Sequence, residues 1–444
     1  MSADQDRDLD RRIWALAIPA LGSIAAEPLY NLVDTAIVGH LGRQQLDSLA
    51  IATTALMLAG WLSIFLSTAT TSAVAGLAAS RQHGKAAQAV GAAYLIAAVG
   101  GVLVAIVLMA AAPLLAQLLG AQHAVLTGAV SYLRISAVGV PFLYLSYAGN
   151  GHLIGLADIR TPLRIAVAAN LLNIALEVVL VYGVHWGLAG SAWGTVAAQL
   201  AAAIAYGAAS RRAAIRVVRP GRPQLITLLQ AGHQLTVRTI ALGVVPLTTT
   251  AVAARLGPVA LGGQQIAMRV WYLLSISLDA LAVPAQVYVS TALGAGDPRA
   301  AHHTARRSVR LGLIAGGALA LLTAALAFVV PVVFTHDPAI QHQATVALLV
   351  SAVTQPLAAL AFVLDGLILG ISDYRAMRRA MLLSILAYAP MAALVLRFHG
   401  LGLPGIWIAL GLWLAARSAL LGRRWQSPPM IMGRKRPNTG QNYP

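Results

Sequence analysis

The first long apolar segment of this chain contains two carboxylates and an amide, residue types that can bind a cation or carry a proton. Glu27, Asn31 and Asp34 are spaced i, i+4 and i+7, which predicts that they share one face of a helix. A carboxylate facing lipid is costly, so this face must line protein or a water-filled cavity. We interpret it as an ion- or proton-handling site; the alternative is a stripe that only packs helices together.

Later segments carry further polar faces that would complete such a site. The fifth segment has Asn170, Asn173 and Glu177 at i, i+3 and i+7. The sixth has Ser191, Thr195 and Gln199 at i, i+4 and i+8. The fourth adds Tyr147 and Asn150. Their oxygens suit a proton relay or a hard cation such as Na⁺. Two carboxylates in a dry site cannot both ionise cheaply, so Asp34 and Glu177 are expected to share a proton near neutral pH.

The composition is that of a polytopic membrane protein. Of the 444 residues, 59% are hydrophobic and only 10% are charged, and the mean hydropathy is +0.75, whereas soluble domains carry about 25% charged residues. The absence of cysteine excludes disulfides and cysteine-based metal or redox sites. The hydrophilic start runs into a long apolar stretch, so no cleaved signal peptide is expected.

A hydropathy window predicts twelve helices and an all-α fold. The apolar segments lie near 13–39, 46–77, 87–111, 126–155, 162–183, 189–209, 225–254, 260–291, 305–331, 341–370, 376–396 and 403–422. A basic, proline-containing stretch at residues 211–223 divides them into two groups of six. The predicted parts are an N-terminal six-helix lobe, a cytoplasmic linker, a C-terminal six-helix lobe and a cytoplasmic tail: 1–210, 211–224, 225–425 and 426–444.

The basic residues predict the orientation in the membrane. Alternating the sides puts 24 of the 31 Lys and Arg residues on one side and 3 on the other, so both termini and the linker are predicted to be cytoplasmic. The expected location is the cell membrane, and the basic excess faces lipid rather than nucleic acid. Four arginines fall within segments: Arg134, which is expected to snorkel from a helix end, and Arg238, Arg269 and Arg417.

The two halves repeat at a shift of 215 residues. Pro141, Gly151 and Gly155 match Pro356, Gly366 and Gly370. Six helices per half make the repeats parallel, which predicts two six-helix bundles facing each other across a central cleft.

The buried polar groups do not follow this repeat. Asp34 matches Thr249 and Glu177 matches Ala392. The polar cluster therefore belongs to the first half alone, which disfavours a purely structural role.

The second half offers other candidates. Asp279 and Asp365 are expected to line its cavity, unless Arg269 pairs with one of them and makes it structural. Pro19 and Pro28 are expected to let the first helix bend. No nucleophile triad, phosphate loop or zinc motif stands out, so an enzyme is not expected.

Several motifs together resemble the MATE (multidrug and toxic compound extrusion) family, in its DinF-type branch. They lie at residues 33–42, 150–162, 173–177, 190–195 and 365–370. The resemblance extends over about the whole chain. It implies a V-shaped, twelve-helix antiporter that exports organic cations, drugs or other amphipathic molecules by alternating access, without a cofactor apart from H⁺ or Na⁺ as coupling ion.

The resemblance also implies roles for individual residues. The implied coupling carboxylate is Asp34, together with Asn173, Glu177 and Thr195; the implied cavity-lining residues are Tyr132, Tyr147 and Asn150, and the implied bend is at Pro19. The family often has Asp where this chain has Glu177. The longer side chain would disturb Na⁺ geometry more than proton binding, so protons are favoured.

Two other functional classes stay open. A flippase for lipid-linked precursors would share this architecture but would need arginines to hold pyrophosphate; a membrane-embedded enzyme would need a catalytic set. The expected partners are membrane lipids and small-molecule substrates, with no nucleic acid, and the chain is expected to act as a monomer.

Overall fold

The computed structural model describes the backbone of residues 3–427 and the side chains of 6–26, 30–31 and 33–427. This part of the chain contains twelve long helices and no β-strand. The helices are α1 (Ala3–Gly39), α2 (Arg43–Ala79), α3 (His83–Leu118), α4 (His123–Gly155), α5 (Arg160–Val178), α6 (Gly187–Arg212), α7 (Arg222–Leu256), α8 (Pro258–Gly294), α9 (Pro298–Leu326), α10 (Pro338–Gly370), α11 (Tyr374–Arg397) and α12 (Gly402–Gln426). A one-turn helix, Val330–Phe334, precedes α10.

Each predicted apolar segment coincides with one of these helices. Eleven of them, α2 to α12, are long and apolar enough to cross a membrane. A span needs about 20 residues because the hydrocarbon layer is about 30 Å thick. In lipid only helices or closed barrels satisfy their own backbone hydrogen bonds, which explains why the spanning part of this chain is entirely helical. The predicted all-α, polytopic fold is confirmed.

The internal repeat is present in the helix packing. The helices α2 and α4 begin and end 215 residues before α8 and α10. A Cβ atom at Gly151 would lie 2.8 Å from the Cα of Ser67, and one at Gly366 would lie 2.9 Å from the Cα of Ala282. Ser67 and Ala282 are themselves 215 residues apart. The same close helix crossing, possible only with glycine, is therefore built twice.

The chain forms two compact units whose limits differ from the predicted lobes. One unit is Ile18–Thr236; the other combines Met1–Ala17 with Val237–Pro444. The difference arises because α1 and α7 are continuous helices, each with its first part in one unit and its remainder in the other. The predicted linker belongs to the first unit with the start of α7. Of the predicted tail, residues 428–444 lie outside the described part of the chain.

Ion pairs explain why the start of α1 belongs to the second unit. Arg307 on α9 binds Asp10 through its Nε atom at 2.9 Å and Asp6 through Nη1 at 3.1 Å. His303, one turn earlier on α9, lies 2.7 Å from Asp6. These side chains are only partly exposed, and a guanidinium bound to two carboxylates is a geometrically specific contact. The first turns of α1 are thus fixed to α9.

Candidate functional site

The helices α1, α5 and α6 bring two carboxylates to one hydroxyl group. The Oγ atom of Ser191 lies 2.8 Å from Oδ1 of Asp34 and 2.7 Å from Oε1 of Glu177. Asp34 is 4% exposed, and Ser191 and Glu177 are fully buried. The structure places no basic side chain in hydrogen-bonding contact with these three described residues. We call this group the carboxylate pair.

The single hydroxyl of Ser191 cannot satisfy both members of the carboxylate pair. A serine hydroxyl has one proton to donate, so it can donate to one carboxylate only. The other contact is a hydrogen bond only if that carboxyl group is protonated and donates to Oγ. The geometry therefore suits two carboxyl groups that share a proton or a bound cation.

Further polar residues surround the carboxylate pair. Thr195 Oγ1 lies 3.1 Å from the hydroxyl of Tyr30 and accepts a hydrogen bond from Nδ2 of Asn173 at 3.5 Å. The buried Tyr132 lies beside Ser191 and Thr195. Asn173, Glu177 and Thr195 thus lie close to Asp34, where the resemblance implied them, and Tyr132, an implied cavity residue, lies there too.

Two buried oxygen atoms of this site have no hydrogen-bond partner among the described residues. They are Oδ1 of Asn173 and Oε2 of Glu177. A buried acceptor without a partner is costly, and such atoms are natural ligands for a proton donor or a cation. The described residues contain no group of three or more His, Cys, Asp or Glu side chains that could hold a metal ion.

A local change of helix type follows Glu177 directly. Residues Val179–Gly183 form a π-helical turn, closed by the bond from Val184 N to Val179 O at 2.8 Å. At this turn α6 approaches closely, since a Cβ atom at Gly190 would lie 2.8 Å from the carbonyl carbon of Leu180. π-Turns inside α-helices are frequent at functional sites. This one adjusts the end of α5 beside the start of α6, where Ser191 lies.

Other predicted site residues lie elsewhere. Asn31 is exposed and does not join the carboxylate pair. Tyr30, which precedes Asp34 by four residues, takes the inner position on α1 instead. Asn170 donates to the carbonyl of Ala26 at 2.9 Å, so it joins α5 to α1. The side chains of Glu27 and Pro28 lie outside the described residues.

Tyr147 and Asn150 lie far along α4 from Tyr132. The rise of an α-helix separates them from it by about 22 and 27 Å. Asn150 donates to Ser67 Oγ at 3.0 Å. They belong to a different level of the same unit, so the predicted cavity residues do not form one cluster.

The sequence-based prediction of the site lacks Tyr30, and it counts Ser191 only as part of a polar face and not as a coupling residue. Tyr30 precedes Asp34 by four residues, and Ser191 precedes Thr195 by four, so both spacings were available as signals. The predicted polar face of α1 contains Asn31 in place of Tyr30. The spacing of Ser191 gives no indication that its hydroxyl contacts two carboxylates.

In the second unit the buried carboxylate is compensated by arginines. Asp365 on α10 is 3% exposed and forms ion pairs with both Arg238 of α7 and Arg417 of α12. The guanidinium of Arg417 also lies 5.4 Å from the ring of Phe362 and 5.7 Å from the ring of Trp413. Asp365 is thereby neutralised by arginines that are themselves held in place.

Arg269 forms neither of the two ion pairs that the sequence left open. Arg269 is exposed on α8, and the described residues give it no ion pair with Asp279 or Asp365. The partners of Asp365 are Arg238 and Arg417, because these are the arginines whose helices turn them towards α10. Asp279 is also exposed on α8, within electrostatic range of Asp365 and its two arginines.

Comparison with known proteins places the chain among transporters. The family model described as MatE matches residues 19–179 and 235–398. The Arabidopsis thaliana protein DETOXIFICATION 44, chloroplastic, is 31% identical over 93% of this chain and 81% of the relative. The DNA damage-inducible protein F of Escherichia coli (strain K12) is 27% identical over 94% of this chain and 92% of the relative.

Solved structures share the fold. A MOP superfamily transporter from Pyrococcus furiosus, described as having a binding pocket of reversed polarity, superposes with a TM-score of 0.86 at 21% identity, covering 95% of this chain and 96% of the other. A MATE protein in the bent conformation superposes with a TM-score of 0.87 at 20% identity, covering 95% and 98%.

The arginine pair makes Asp365 a stability determinant. We expect Asp365→Asn to lower the free energy of unfolding by about 3–5 kcal/mol, because it leaves the buried guanidinium of Arg417 and the partly buried one of Arg238 without their ion-pair partner. Thermal unfolding of purified protein in detergent measures this. Asp279→Asn is the matched control, since Asp279 is exposed and its loss should change stability far less. Equal losses for the two variants would contradict the assignment.

Proposed function

This chain belongs to the MATE family of multidrug and toxic compound efflux transporters, and on that premise we propose that it is a proton-coupled antiporter. Family members are transporters, so the expectation that the chain is not an enzyme is confirmed. The proposed coupling site is the carboxylate pair with Asn173, Thr195, Tyr30 and Tyr132 around it.

One observation carries the choice of protons. A single hydroxyl, that of Ser191, lies at hydrogen-bonding distance from both Asp34 and Glu177. A proton on one carboxyl group lets both contacts of Ser191 be hydrogen bonds. Adding a second proton would neutralise the pair, and removing one would leave two negative charges in a buried site at high cost. The pair therefore changes charge by gaining and losing protons.

This change of charge can drive exchange. When the pair loses a proton, it gains affinity for a cation; when it is protonated again, that affinity is lost. A proton arriving from one side thus releases a cationic substrate bound from the other, and the two need not be bound together. Binding of either species to the same negative charge couples their movements in opposite directions.

The charges of the site favour cationic, amphipathic substrates. The carboxylate pair has an acidic character, and apolar helix surfaces surround it. A flippase for lipid-linked pyrophosphates, the competing function, would need free interior arginines. Arg238 and Arg417 are already bound to Asp365, and Arg269 and Arg134 are exposed. The arrangement supports export of organic cations instead.

Sodium is the second candidate for the coupling ion. The unpartnered oxygens Oδ1 of Asn173 and Oε2 of Glu177, together with Asp34, are the hard ligands that Na⁺ prefers. A sodium ion in this position would supply the positive charge that a proton supplies in our proposal.

We further propose that the transporter lies in the cell membrane with both termini and the linker on the cytoplasmic side. The asymmetric distribution of Lys and Arg supports this orientation. Export from the cytoplasm then requires that the coupling ion enter as the substrate leaves.

Asp34→Asn is expected to abolish gradient-driven export while leaving the protein folded. Asparagine keeps the size of aspartate but cannot change charge, so coupling fails and packing survives. Dye efflux from proteoliposomes measures the activity, and thermal unfolding checks the fold. Thr249→Val is the matched control at the repeat-equivalent position, where Thr249 Oγ1 donates only to Pro246 O of its own helix. Normal efflux by a folded Asp34→Asn protein would refute the coupling role.

The coupling ion can be identified by imposing one gradient at a time. If protons are used, collapsing the proton gradient should stop efflux even when a Na⁺ gradient is present. We expect the Na⁺ gradient alone to support no transport above that of protein-free vesicles. Efflux that survives proton collapse and follows Na⁺ would instead assign Asp34, Asn173, Glu177 and Thr195 to a sodium site.

The orientation can be tested with single cysteines, because the chain contains none of its own. Ala214 in the linker and Gln44 at the start of α2 are both exposed, whereas the nearby Ser210 is fully buried and unsuitable. In intact cells an impermeant maleimide should label Gln44→Cys and spare Ala214→Cys. The reverse pattern would show that the orientation is inverted.

A further inference from the structure

An open groove of about 500 Å³ lies between α3 and α4 of the first unit, away from the carboxylate pair. Its apolar residues include Pro113 of α3 and Val130 and Ile135 of α4. We call it the α3–α4 groove. It is a depression in the helix surface and not an enclosed pocket.

Polar side chains of α4 line one wall of this groove. Thr127, Ser131 and Arg134 are spaced i, i+4 and i+7, and all three are exposed. Within the part of the chain that the structure describes, none of the three side chains has a hydrogen-bond or ion-pair partner. An arginine in an otherwise apolar groove of a membrane helix needs an anion from outside the protein.

The surface around the groove is that of a lipid-facing helix. On α3, Leu114 and Leu118 beside Pro113 are 58% and 74% exposed. Further along α3 the exposed residues are again aliphatic, including Val107 and Leu103. Such a surface is stable only against acyl chains. The occupant of the groove must therefore combine an acyl chain with an anionic group.

The side chain of Arg134 can reach the phosphate level of a bilayer. The 33 residues of α4 span about 50 Å, of which the hydrocarbon layer covers about 30 Å. With α4 centred, its first residues project about 10 Å beyond the hydrocarbon, and Arg134 lies about 16 Å from the helix start. This puts its Cα about 6 Å inside the hydrocarbon, a distance that the arginine side chain can cover by snorkelling.

We propose that the α3–α4 groove binds one phospholipid, with its phosphate on Arg134 and the hydroxyls of Ser131 and Thr127, and an acyl chain along α3. A guanidinium and phosphate oxygens form charge-assisted hydrogen bonds. The lipid belongs to the leaflet opposite the basic loops, because the α3–α4 connection lies at that end of the unit. This site is independent of the carboxylate pair and of the proposed coupling.

Lipid titration of the delipidated protein in detergent tests the proposal. The probes are dioleoylphosphatidylglycerol, inorganic phosphate, and dioleoylglycerol, which has the same acyl chains but no phosphate. Native mass spectrometry counts the bound lipid molecules, and the shift of the unfolding temperature gives a second measure of binding. We expect Arg134→Gln to weaken phosphatidylglycerol binding about tenfold. Arg43 is another exposed arginine at the same end of the unit, so the Arg43→Gln variant should bind phosphatidylglycerol as tightly as the unsubstituted protein does.

A second variant keeps the test decisive if Arg134→Gln fails to fold. Thr127→Trp fills the groove from an exposed position and leaves Arg134 intact, and it should also weaken binding. Dioleoylglycerol and inorganic phosphate should each bind far more weakly than the phospholipid. Unchanged phosphatidylglycerol binding by either folded variant, or equal binding of dioleoylglycerol, would overturn the proposal.

Discussion

A carboxylate within the apolar interior must find a counter-charge or a proton, and this constraint shapes both units. In the first unit Asp34 and Glu177 meet over the hydroxyl of Ser191. In the second, Asp365 is held by Arg238 and Arg417. Arginine stays charged at any physiological pH, so the second solution is fixed. A shared proton can leave or arrive, so the first can change its charge.

The two halves share the same helix packing but differ in how their buried carboxylates are compensated. The glycine crossings at Gly151 and Gly366 are nearly identical, and they depend on backbone contact alone. The charged residues of the two buried clusters do not correspond: Arg417 matches Ala202, and Glu177 matches Ala392. The packing of the helices is therefore independent of the buried charges. One half was free to acquire a titrating pair while the other acquired a permanent ion cluster.

The helices and the repeat could be predicted because they depend on hydropathy and spacing, which the sequence displays directly. The site was only partly predictable. Glu177 and Asp34 are recognisable as charged residues in apolar segments. Tyr30 and Asn31 project in neighbouring directions from α1, and periodicity alone does not show which of the two faces Asp34. The sequence left open whether Arg269 pairs with Asp365, and the structure pairs Asp365 with Arg238 and Arg417. Such pairing depends on how each helix is rotated in the packed unit.

The first helix connects these features physically. Its beginning is fixed to α9 by the ion pairs of Arg307, and its other end carries Asp34 in the first unit. Between them, Pro19 lies two residues beyond the point where α1 passes from one unit to the other. Proline has no N–H to donate, so α1 lacks a backbone bond there and is weakest against bending at that point.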